Sequence, residues 1–176
     1  CLPPGTLVDT LDGPRPIEQI QIGDLVLGTS GGRSVDGGKV TEVRIGGFDG
    51  EIVRIGVDGR SVAATSGHVV PVRSAGRPSS DDVVVTMFDP ARGGGHSVRC
   101  SAVGHITDST HLDQALNEAQ RIAGSTGRSL RRVLCVGRDD YDLVAAGSVR
   151  PGQVMLVSEG DALRESVVDD VSLEVA

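Results

Sequence analysis

The stretch EIVRIGVDGRSVAAT, residues 51–65, places two runs of strand-forming residues on either side of the pair Asp58-Gly59. An Asp-Gly pair in this position is a strong signal for a two-residue turn of type I′, because both turn residues need a positive φ. The stretch therefore predicts a β-hairpin with strands at 51–57 and 60–65.

Outward from this hairpin, most of the first half of the chain also has the pattern of short strands separated by turns. Further strands are expected at 6–10, 40–45 and 69–72, with a glycine-rich loop at 28–38. The predicted fold of residues 5–72 is therefore all-β.

The middle of the chain has a different composition. Residues 73–82 are rich in Ser, Gly, Pro and Arg, which is typical of a linker or long loop. A strand is expected at 83–88. We interpret residues 76–140 as an insert between two half-domains, predicted at 1–75 and 141–176.

One helix is predicted inside the insert. Apolar residues recur at helical spacing from His111 to Ala123, and a buried strand is expected at 130–136. Ser109 or Thr110 could cap the start of the helix, and Gly124 could close its end.

Two segments near opposite ends of the chain share a pattern. Residues 20–27 (IQIGDLVL) and 149–157 (VRPGQVMLV) each place an apolar residue before a glycine turn, then a polar residue and three apolar residues. Such an entry from turn to strand is common. Near both ends of an all-β chain, it indicates two related halves around one core.

Composition and charge exclude several classes of protein. Of 176 residues, 38% are apolar, which is enough to bury a core in one domain, with or without an insert. No run of eighteen apolar residues is present, so no segment is expected to span a membrane. The first residues also lack the pattern of a signal peptide. The net charge of −7 argues against binding nucleic-acid phosphates.

Cysteine and lysine usage adds two expectations. The three cysteines show no CxxC spacing, so neither a disulfide framework nor a metal site is expected, and a reducing cytosol is the predicted setting. Lys39 is the only lysine, and Asp outnumbers Glu. The acidic surface of a halophile and a GC-rich genome both explain this bias.

Cys1 is the first candidate for chemistry. A cysteine here is a cloning accident, a structural residue or a nucleophile. A free thiol has a pKa of about 8.5, so some thiolate is available near neutral pH, and its sulfur is intrinsically nucleophilic. A cysteine just after a scissile bond can attack the preceding carbonyl through a five-membered ring, which converts the peptide to a thioester.

The stretch Thr65-Ser66-Gly67-His68 is the second candidate. A histidine can protonate the departing amide nitrogen, and a threonine three residues earlier can help to orient the same peptide bond. A tight turn between a strand end at Thr65 and the apolar run after His68 would let both side chains face one point. A lone histidine beside apolar residues is more often structural, so the pair gains weight only together with Cys1.

Three ordered motifs resemble those of inteins and Hedgehog/intein (Hint) domains. CLPPGTLV at 1–8 is similar to the opening block, DGPRPIEQI at 12–20 with GDLVL at 23–27 to the stretch that follows it, and RSVAATSGHVV at 60–70 to the second splicing block. The resemblance covers residues 1–72 well and 143–176 loosely, and it is specific for the superfamily.

This resemblance implies a horseshoe-like all-β fold with pseudo-two-fold symmetry. It also implies that Cys1 performs an N–S acyl shift while Thr65 and His68 activate the scissile amide. Such a domain is autocatalytic, acts once on its own flanking sequences, and is expected to need no cofactor.

The chain departs from the intein pattern at its other end. Inteins finish with a His-Asn pair whose asparagine cyclises, whereas the only asparagine here is Asn117, in the predicted helix. As given, the sequence is therefore not expected to complete splicing by asparagine cyclisation. It is a fragment of an intein, the larger piece of a split intein that pairs with a complementary C-terminal fragment, or a Hint domain that passes its thioester to an outside nucleophile.

Two acids are further candidates. Asp49 lies near the place where Hedgehog-type domains keep an acceptor-activating aspartate, although a turn aspartate before Gly50 explains it equally well. Asp169 could assist the first cleavage, as an aspartate near the end of inteins does, although acids beside a strand are usually just solvated.

Two functions from other classes stay open. The chain could be a non-catalytic β-barrel binding module in which Cys1 is incidental, or a multiple-turnover cysteine hydrolase that uses Cys1 and His68. The first would show no thiol-dependent release, and the second would consume added peptide or ester.

The origin of the acidic bias can be tested by salt titration. A halophilic surface needs molar salt for folding or processing, because salt screens its self-repulsion. Circular dichroism between low and molar NaCl measures this requirement, and full folding at low salt would leave the genomic explanation.

Overall fold

The structure is a computed structural model that describes residues 1–29, 32–73, 82–87 and 95–175, without the side chains of residues 105 and 106. Within these ranges the chain is mostly β, which confirms the predicted all-β class with one helix. The strands are β1 (Leu7–Thr10), β2 (Gly13–Pro16), β3 (Leu25–Gly28), β4 (Asp36–Lys39), β5 (Glu51–Val57), β6 (Arg60–Thr65), β7 (Val69–Arg73), β8 (Val83–Met87), β9 (His96–Cys100), β10 (His105–Ser109), β11 (Leu130–Val136), β12 (Asp139–Ala145), β13 (Val154–Glu159) and β14 (Ala162–Val175), and the helix is α1 (Leu112–Thr126).

The chain divides into two compact units. Unit 1 comprises Cys1–Val70 and Ala145–Ala176, and unit 2 comprises Pro71–Val144. The predicted insert, 76–140, falls within the sequence of unit 2. Most of the predicted linker at 73–82 lies outside the described residues.

Two sets of four strands pair within unit 1. One sheet has the order β2-β1-β3-β4, and β13-β14-β5-β6 are successive neighbours in another. The predicted hairpin is confirmed, since Val57 pairs with Arg60 across its turn. Asp58 has a φ of 54° and Gly59 a φ of 69°, as a type I′ turn requires.

The strand predicted at 40–45 is wrong. The partner of β3 is β4, which begins inside the predicted glycine loop and ends at Lys39. Val43 and Ile45 are exposed, Ile45 to 90%, so no packed surface favours a strand there. An apolar run of this kind does not form a strand unless a neighbouring strand and a buried face are available.

The two segments that share a sequence pattern also share a backbone structure. A 3₁₀ turn precedes each copy, Ile17–Gln19 in the first and Ala146–Ser148 in the second. A glycine with positive φ follows, Gly23 at 100° and Gly152 at 87°. The chain then enters β3 or β13.

The copies also share two reciprocal backbone hydrogen bonds between the glycine turn and the second strand of the following hairpin. In the first copy, Val40 exchanges them with Gly23 and Asp24, at 2.8 Å each. In the second copy, the equivalent bonds join Val168 to the turn at 152–153, at 2.9 and 2.7 Å. Unit 1 therefore contains two structurally related segments.

Unit 2 is a sheet with a helix packed on it. Its strands pair in the order β10-β9-β8-β11-β12, with β8 parallel to β11 and the other neighbours in this order antiparallel. The helix α1 buries one face against β8 and β9. The core comprises Val83, Val85, Val98 and Cys100 from the strands, and Ala115, Ala119 and Ile122 from the helix.

Within the described residues, the predicted helix and the strands expected at 83–88 and 130–136 are confirmed, but the predicted caps are wrong. The strand β10, which directly precedes the helix, was not predicted. The N-cap position of the helix is His111, whose side chain makes no capping hydrogen bond, and the C-cap position is Gly127, with a φ of 66°. Ser109 ends β10 and its hydroxyl bonds to the backbone of His111. Gly124 lies inside the helix, because Gly127 supplies the left-handed residue that closes it.

Among the described helices, none is both long and apolar enough to cross a membrane.

The type I′ turn makes a stability prediction. Gly59→Val forces a β-branched residue into the left-handed region and should lower the free energy of unfolding by about 1–2 kcal/mol. Gly124→Ala is the matched control: its Cβ would meet nothing within 4 Å, and replacing a helical glycine should stabilise by about 0.5–1 kcal/mol. Urea unfolding measures both, and an unchanged Gly59→Val variant would contradict the turn assignment.

Candidate functional site

Cys1 is held at the end of β6 by two hydrogen bonds. Its amino nitrogen donates to Thr65 Oγ1 at 2.6 Å, and the Thr65 amide donates to the Cys1 carbonyl at 2.9 Å. Thr65 is buried, whereas Cys1 is exposed. In a precursor, the Cys1 nitrogen would be the amide nitrogen of the preceding peptide bond, so these contacts hold that nitrogen and the Cys1 carbonyl in one orientation.

Thr65 and His68 are joined by a tight turn, as their spacing predicts. The His68 amide donates to the Thr65 carbonyl at 2.9 Å, which closes the turn. The Ser66 amide within the turn donates to the Glu51 carbonyl at 3.2 Å. Strands β5 and β6 therefore anchor one side of the turn.

The 3₁₀ turn Ala146–Ser148 anchors the other side. The Ala146 amide donates to the His68 carbonyl at 2.7 Å, and the Gly147 amide donates to the Ser66 carbonyl at 2.9 Å. Sequence analysis missed both residues. The sequence did contain a signal that could have indicated Ala146 and Gly147, because both residues lie next to the repeated segment at 149–157.

The electrostatic environment of His68 favours a neutral imidazole. Its side chain is half-buried, and this burial lowers the pKa of His68 because a charged ring would lose hydration. The positive charge of the Cys1 amino group lowers the pKa further.

The two acidic candidates have different positions. Asp169 is the bulged residue between the pairs of β14 with β5, and its carboxylate accepts the Asp58 amide at 2.8 Å. It thus lies at the turn end of the hairpin, five residue pairs, roughly 17 Å, from the Thr65 end. The structure does not bring Asp169 to Cys1, and it explains the carboxylate as a partner of the turn.

Asp49 lies on the Thr65 side of the hairpin. It is exposed and stands two residues before Glu51, which bonds to Ser66. The end of β14 reaches the same side, since Glu174 pairs with Ile52 and Ile52 pairs with Thr65.

Comparisons with known proteins add no family. Neither the scan against protein-family models nor the search of curated proteins found a match to this chain. Within the described ranges, no three His, Cys, Asp or Glu residues are grouped so that they could hold a metal ion. The observed link between the three candidates is that Cys1 is hydrogen-bonded to Thr65, and a tight turn joins Thr65 to His68.

The pKa of His68 gives a test of this geometry. In the free chain its imidazole should titrate below the ordinary value of 6.5, as measured by NMR of the ring protons. In a Cys1→Ala precursor with residues placed before position 1, the ammonium charge is absent, so the pKa should rise but stay below 6.5, because burial persists.

The same shift has a consequence for stability. Because the folded pKa is depressed, the unfolded chain binds more protons as pH falls below 6.5, and the free energy of unfolding should fall. A His68→Ala variant should lose this part of the pH dependence. If the pKa of His68 were 6.5 both in the free chain and in the Cys1→Ala precursor, this result would contradict the burial of the imidazole.

Proposed function

We propose that unit 1 is a self-processing domain that converts the peptide bond before Cys1 into a thioester. The observation that carries the proposal is the pair of hydrogen bonds between Cys1 and Thr65, with His68 three residues further along the same turn. They hold the nitrogen that would leave against Thr65, on the turn that also carries His68.

The reaction transfers an acyl group from nitrogen to sulfur with no net uptake or release of protons. A neutral His68 imidazole takes the proton of the Cys1 thiol, and the thiolate attacks the carbonyl carbon of the preceding residue through a five-membered ring. The carbon–nitrogen bond then breaks, and the imidazolium returns the proton to the departing nitrogen. One S–H and one C–N bond are exchanged for one C–S and one N–H bond.

Thr65 has an orienting role in this proposal. Its hydroxyl accepts the hydrogen of the Cys1 nitrogen, and its amide fixes the Cys1 carbonyl. Together these contacts restrict rotation about the bonds next to the scissile amide. Holding reactive groups near their attack geometry supplies part of the rate enhancement of an intramolecular reaction.

The internal repeat supports a Hint-type domain. The resemblance of the motifs to that superfamily implies two related halves, and unit 1 contains two related segments with matching turns and hydrogen bonds. The horseshoe-like shape is part of this proposal. The action is autocatalytic and single-turnover, and the flanking sequence is its substrate.

The fate of the thioester distinguishes two forms of the proposal. In an intein, a complementary C-terminal segment completes splicing, and the path of β14 past Ile52 supports a junction on this side of the hairpin. In a Hedgehog-type domain, an outside nucleophile takes the acyl group. Cys1 is exposed, which an outside nucleophile would require.

Thiol-induced cleavage tests the proposal. A fusion with a foreign segment before Cys1 should release that segment when a thiol is added, because the thiol captures the thioester, and mass spectrometry should detect the thioester end. Cys1→Ala should abolish release. His68→Ala should slow it about 10²–10⁴-fold, the usual contribution of general acid–base catalysis, and Thr65→Ala about tenfold.

Matched controls separate catalysis from folding. Thr65→Ser keeps the hydroxyl and should retain most of the rate, and His111→Ala removes an exposed imidazole in unit 2 without effect. Intact precursor in every variant, with native circular dichroism, would instead support a binding module. Multiple turnover of an added ester would support a hydrolase.

A further inference from the structure

The turn Ala146–Ser148 fits unusually close to the turn that carries His68. Besides the hydrogen bonds from Ala146 and Gly147, a Cβ placed on Gly147 would lie 3.3 Å from Ser66 Cβ and 3.4 Å from the Ser66 carbonyl oxygen. The first distance is shorter than an ordinary van der Waals contact between carbon atoms. A side chain at position 147 would therefore push Ser66 away by a few tenths of an ångström.

The first copy of the repeat shows that this glycine is not required by the backbone. Ile17 donates its amide to the Thr6 carbonyl at 2.8 Å, as Ala146 does to His68. The residue after Ile17 is Glu18, whose carboxylate accepts the Gly5 amide at 2.7 Å. The same 3₁₀ turn thus accommodates a long side chain.

The conformation of Gly147 leads to the same conclusion. It is not among the glycines with positive φ, so an L-residue could adopt its backbone without strain. The feature that calls for glycine is the contact with Ser66 on the neighbouring turn. That contact belongs to the second copy only, where the turn at 65–68 carries the candidate threonine and histidine.

We propose that Gly147 is a positioning residue of the processing site: its missing side chain lets the Ala146–Ser148 turn pack against Ser66, and so holds the turn that carries Thr65 and His68, to which Cys1 is hydrogen-bonded. The proposal rests on the proposed function for its effect on rate. The position of the imidazole can also be measured without any reaction.

The first test measures rate. In the fusion precursor, Gly147→Ala should slow thiol-induced release about tenfold, because sub-ångström misplacement of reacting groups lowers the benefit of proximity. Adding Ser66→Gly removes the Cβ at 3.3 Å and should restore most of the rate relative to Ser66→Gly alone. Adding Ser66→Ala to Gly147→Ala keeps that Cβ and should therefore not restore the rate. Gly124→Ala should process at the parental rate.

The second test measures the imidazole directly. In the free chain, Gly147→Ala should move the pKa of His68 toward its ordinary value, and the further change Ser66→Gly should move it back. Urea unfolding of each variant shows whether the fold persists.

The outcomes of the two proposals are separable. If the parent processes and Gly147→Ala matches it in rate and in His68 titration, the positioning role is overturned and the proposed function stands. If no precursor processes, the proposed function fails, and the NMR titration still decides whether Gly147 positions His68. The positioning role would also be overturned if Gly147→Ala lowers the rate, neither Ser66→Gly nor Ser66→Ala restores it, and the pKa of His68 is unchanged.

Discussion

The contact between Cys1 and Thr65 is the constraint on which the candidate site depends. One residue at the end of β6 holds both the nitrogen and the carbonyl of Cys1, so the proposed nucleophile is fixed by its backbone although the residue is exposed. This arrangement suits an intramolecular reaction. In the proposed reaction, the attacking sulfur and the departing nitrogen belong to the same residue, so fixing that residue would orient both.

The second copy of the repeat completes the site that the first part of the chain begins. Cys1 and Thr65 come from the N-terminal part of unit 1, whereas the amides of Ala146 and Gly147 come from residues 145–176. In the sequence, unit 2 lies between His68 and Ala146, which are joined by a backbone hydrogen bond.

Local patterns predicted much of the fold. The pair Asp58-Gly59 determined a type I′ turn because few residues tolerate two positive φ angles in succession, and the apolar period at 111–123 determined the helix that packs on the sheet of unit 2. Residues 40–45 do not form a strand, because strand formation depends on a hydrogen-bonded neighbouring strand and a buried face. The edge of β3 that could have paired with them pairs with β4 instead. The predicted N-cap failed because β10 continues to Ser109, and the predicted C-cap failed because the helix continues past Gly124 to Thr126 and ends at Gly127.

For the candidate site, the sequence alone determined the residue types and the turn between Thr65 and His68, because hydrogen bonding across three residues is a local property. The tertiary structure decided which of the predicted side chains meet. It placed Cys1 on Thr65, placed Asp169 at the far end of the hairpin, and added Gly147. These outcomes depend on contacts between residues 64 to more than 100 positions apart, and the geometry of such contacts is set only when the strands pair and the two related segments pack.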